Sequence, residues 1–71
     1  MSMRRNNENS ARDKLLEEIA LVKAMLQNAN TRFELESDCD LVESAIYEIE
    51  SLKARYRYLM RAARAFDNIS V

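Results

Sequence analysis

Glycine, proline, histidine and tryptophan are all missing from this 71-residue chain, and cysteine occurs once. Each absence closes off a class of structure or chemistry. Without glycine or proline, a sheet-rich fold has little of the turn chemistry it needs. Without glycine there is also no phosphate-cradling loop of the usual kind. Without histidine there is no ready general base near neutral pH. The lone Cys39 cannot form an internal disulfide, which suits a reducing compartment. No apolar run approaches the roughly 20 residues that cross a bilayer. The N-terminal "MSMRRNNENS" has a basic pair but no apolar core of a secretory signal. These absences set the expectation of a cytoplasmic protein with no enzymatic activity, cofactor or metal.

What is present is helical. Hydrophobic residues make up 48% of the chain and charged residues 32%, too apolar a mixture for a disordered polyelectrolyte. The net charge of −1 supplies no global field toward DNA or an acidic bilayer. The length allows one small domain.

Residues 1–9 are polar, Asn-rich and without apolar periodicity, and read as a disordered tail. Ser10, with Asp13 three residues on, is the expected N-cap of a first helix over about 11–36. Within it Leu15, Ile19, Val22, Leu26, Ala29 and Phe33 recur at spacings of 4, 3, 4, 3 and 4. That is a heptad seam. The pattern lapses in "NTRFELESDCD", with a turn at about 37–40, and Asp40 with Glu43 is the expected cap of a second helix over about 41–66. There Val42, Ala45, Ile49, Leu52, Tyr56, Leu59, Ala63 and Phe66 follow spacings of 3, 4, 3, 4, 3, 4 and 3. Residues 67–71 read as a frayed end.

So short a connection forces the helices antiparallel. With the tip near Cys39, facing positions have numbers summing to about 78, and the same register brings Arg32 near Glu48. The expected fold is an all-α, antiparallel two-helix hairpin resembling a coiled coil. Two helices cannot shield both sides of their own seam. Leu16, Met25, Leu41, Ile46 and Met60 also spill onto its flanks. The apolar face is too wide for two strands, so the hairpin is expected to complete a four-helix bundle.

The "AIYEIE" block (Ala45, Ile46, Tyr47, Glu48, Ile49), the "ARYRYLM" block (Ala54, Arg55, Tyr56, Tyr58, Leu59), the closing Ala62, Ala63 and Arg64, and "LLEEI" at Leu15 to Ile19 together resemble the YaaL-like family, short bacterial proteins carrying a domain of unknown function. The resemblance covers about residues 12–65. It implies a helical hairpin in a bacterial cytoplasm and transfers no reaction.

Three candidate sites remain on the surface. The tip from Glu34 to Glu50 holds seven acids and no base, but it lacks the glycine and ligand spacing of a calcium loop and reads as a solvated cap. Arg57, Arg61 and Arg64, spaced i, i+4, i+7 beside Tyr58, form the possible nucleic-acid contact. Leu16, Met25, Ile46 and Met60, with the outward Tyr47 and Tyr58, form the expected dimer or partner face, and Leu21 is a further outward apolar residue. The functional expectation is protein association, either with an unidentified protein or as an antiparallel homodimer in which acidic tip meets basic open end. Nucleic-acid binding through the basic half of helix 2 is the alternative, and a membrane surface is not expected.

Overall fold

A computed structural model describes residues 7–69, with side chains described for 10–67. Two helices account for nearly all of it: α1, Asn7–Leu35, and α2, Cys39–Ile69. At 1.5 Å per residue each is roughly 45 Å long. They run side by side and antiparallel, and among the described residues there is no strand.

The ends differ from the sequence expectation in ways that side-chain chemistry explains. Helix α1 already includes residues 7–9, so Ser10 lies inside it and does not cap it. Residues 1–6 of the expected tail lie outside the described residues. The connection is residues 36–38, earlier than 37–40. Its cap is Asp38, not Asp40. The Asp38 Oδ1 accepts from the backbone N–H of Asp40 at 2.9 Å and of Leu41 at 3.1 Å. Its carbonyl accepts the N–H of Val42 at 2.8 Å, the first bond of α2. Two of the orphan donors at the helix start are thereby satisfied by one carboxylate. Asp40 sits in the first turn, where its charge favours the positive end of the helix dipole. Residues 67–69, expected to fray, continue α2, while 70 and 71 lie outside the described residues.

The connection is made without any residue at positive φ, the conformation that glycine adopts most readily. The last turn of α1 tightens instead. Glu36 N–H donates to the Phe33 carbonyl at 3.3 Å, an i to i−3 bond that uses a carbonyl the helix would otherwise leave free.

The core is a single seam between the helices. Val22, Ala29, Ile49, Leu52 and Leu59 are buried, with Leu59 at 2% and Ala29 at 0% exposure. Leu15, Ile19, Leu26, Phe33 and Tyr56 are half-buried against them. Val42, Ala45, Ala63 and Phe66 are half-buried as well. Two ion pairs pin the register at its two ends. Arg32 Nη2 meets Glu48 Oε2 at 3.0 Å near the tip, and Arg12 Nη2 meets Asp67 Oδ1 at 3.1 Å near the open end. The facing numbers sum to 80 and 79, so the helices face each other at nearly constant offset along the whole seam.

Candidate association surface

A two-helix seam is covered from neither side, and the surface area records this. The accessible surface is 5688 Å² for an 8.3 kDa chain, whereas a compact monomer of that mass exposes about 4,600 Å². The radius of gyration, 16.4 Å, likewise exceeds the roughly 11 Å of a compact domain of this length. The rod shape and the open flanks have the same cause: the fold is one layer of helices, and a second layer is what closes a helical core.

The apolar residues left outside are unevenly placed. Along one broad side runs a groove of about 600 Å³ bounded by Leu15, Leu21, Tyr58, Ala62 and Phe66, with Lys14, Glu17 and Glu18 on its rim. It passes into a second hollow of about 320 Å³ over Val22 and Leu52, bounded by Leu21, Met25, Ser51 and Arg55. Leu21 and Glu18 line both, so the two are segments of one face. Leu21 is 59% and Tyr58 58% exposed. Large apolar side chains flank a trough whose floor is the seam itself.

The expected partner face divides accordingly. Met25 and Tyr58 lie on the groove, whereas Leu16, Ile46, Met60 and Tyr47 line neither hollow. Nine residues separate Leu16 from Met25, a rotation of about 180° around α1. The two therefore belong to opposite flanks. Leu21, the centre of the grooved face, stands outside the seam repeat. Its sequence signal was an outward leucine four residues before Met25 and three after Glu18.

Within the basic triad Arg61 is the neighbour of Tyr58, three residues on and about 60° round α2, with Arg57 and Arg64 farther round. Arg57, Arg61 and Arg64 are all exposed and line neither hollow. Tyr58 turns into the groove, about 100° round α2 from Arg57. Arg4 and Arg5 lie outside the described residues. At the tip, Cys39 is exposed in the first turn of α2, and among the described residues no group of acids and thiols is arranged to hold a metal. Tyr47 Oη donates to Glu43 Oε2 at 3.4 Å, one turn back along the same helix.

Among the described residues no helix is long and apolar enough to cross a membrane. Fold and surface together define a small two-helix hairpin whose open apolar side is its most distinctive surface. Over residues 1–69 the chain matches DUF2508, a family described as a protein of unknown function, and it belongs to that family. No curated protein and no solved structure matches it.

Proposed function

We propose that the protein acts by association with another protein surface, as a non-catalytic helical subunit in the cytoplasm. The observation that carries this reading is the groove beside Leu21 and Tyr58, where exposed large apolar side chains border an uncovered core. Covering such a face removes apolar area from water at roughly 25 cal/mol per Å². Large apolar side chains left exposed on one face over an uncovered seam are the kind of surface a partner covers. A further pair of helices laid on the trough would complete a four-helix bundle, the architecture that antiparallel hairpins close most simply. The likeness to the YaaL-like proteins supports a bacterial setting and adds no reaction.

A double variant, Leu21→Glu with Tyr58→Ser, tests the reading. Both positions are exposed, so the isolated hairpin should keep its helicity. The wild-type chain should bind either a second copy of itself or a protein captured from its host, and should hold it in high salt. The variant should lose that binding. If the wild-type chain stays monomeric and captures nothing that the variant does not also capture, the reading is wrong. Binding to nucleic acid through the arginines would behave oppositely, failing steeply as salt rises.

A further inference from the structure

We propose that the occupant of the grooved face is a second copy of this chain, packed antiparallel on a two-fold axis at the level of Leu21 and Tyr58. The inference rests on the association reading above and names its partner.

The register places the relevant residues. Facing positions sum to 79 or 80, so Tyr58 stands level with residue 21 or 22, beside Leu21. Arg55 stands level with residue 24 or 25, about three residues or roughly 5 Å toward the tip. Glu18 lies three residues, again roughly 5 Å, toward the open end. Both line the hollow that begins at Leu21. Neither has an ion-pair partner among the described residues. A two-fold axis across the hairpin at Leu21 exchanges the two levels. It therefore sets Glu18 of each copy level with Arg55 of the other, twice over, with the exposed leucines and tyrosines packed between them.

Packing with the tips together does the reverse. It sets Glu18 level with Glu18 and Arg55 level with Arg55. The long-range charge agrees with the local one. Between residues 24 and 54 seven carboxylates face only Arg32 and Lys53, a net of −5. The open half, residues 10–23 and 55–67, carries seven cations against four carboxylates, a net of +3. Like ends side by side would lie within the Debye length of roughly 8–10 Å, whereas the antiparallel pair places each acidic tip beside a basic end.

The experiment combines mass, distance and charge exchange on the full chain. Sedimentation across the micromolar range should give a dimer. Spin labels on Cys39 should lie about 50 Å apart, twice the rise from the axis to the tip. Glu18→Lys and Arg55→Glu should each weaken dimerisation about tenfold or more, and the two together should restore it to within about threefold. Circular dichroism on each variant verifies that the hairpin persists. Labels within about 20 Å would overturn the orientation. A dimer indifferent to both reversals would overturn the face. A monomer at every concentration would overturn the inference, while capture of a foreign protein lost on Leu21→Glu would leave the association reading standing.

Discussion

Arg12 and Asp67, 55 residues apart in the chain, meet through a 3.1 Å ion pair that ties the open ends of the two helices together. Its counterpart near the tip, Arg32 with Glu48, lies on a facing sum only one residue different. The seam between them therefore has no room to slip by a helical step without breaking both. Each pair is more than a third exposed on both sides, so the pairs mark the register while the buried seam supplies most of the free energy that holds it.

Removing the outer tie tests that division. Asp67→Asn should lower global stability by less than about 1 kcal/mol. It should raise amide exchange locally in the first turns of α1 and the last turns of α2. Uniform loss of protection along both helices would show that the pair holds more than the open end.

The buried seam should respond far more strongly. Leu59 is nearly inaccessible between the helices, and Leu59→Ala should cost about 2–4 kcal/mol. Ile49→Asp or Leu52→Asp, which place a carboxylate among apolar neighbours without a partner, should abolish cooperative thermal unfolding. Near wild-type melting in both aspartate variants would mean that the seam does not carry the fold.

Two tyrosines on either side of Arg57 offer a controlled contrast. Tyr56 packs against the core cluster while Tyr58 is largely exposed on the groove. Tyr56→Ala should destabilise the hairpin by about 2–3 kcal/mol. Tyr58→Ala should leave the dilute monomer close to wild type and show its effect in association. Equal losses in chemical denaturation at low protein concentration would place both rings in the monomer core.

The start of α2 distinguishes a cap from a neighbour of the same charge. Asp38→Ala removes the acceptor of two backbone N–H groups and should cost about 1 kcal/mol. Asp40→Ala, which removes only a favourable charge in the first turn, should cost less than half of that. The check is a pair of urea titrations, and the reverse order of effects would move the cap to Asp40.

Residue spacing alone specifies the two helices, their antiparallel course and the approach of Arg32 to Glu48, with the register one or two residues from the expected sum of about 78. Apolar residues spaced by threes and fours from Leu15 to Phe33 and from Val42 to Phe66 specify two helices, because that spacing keeps them on one side of a 3.6-residue turn. A connection too short for anything but a reversal makes the pair antiparallel, and Arg32 opposite Glu48 follows by counting. These are local or nearly local properties. The helix ends were less legible, since Ser10, Asp38 and Asp40 are all competent caps by type, and only the path of the backbone puts one carboxylate over the free N–H groups. The association surface depended on tertiary structure most of all. Leu16 and Met25 both read as flanking the seam, yet they fall on opposite sides of it. Leu21, outside the repeat, becomes part of a surface only when α2 places Tyr58 at its level. Periodicity tells which side of a helix faces inward, whereas the grouping of residues from two helices into one face is set by how those helices lie against each other.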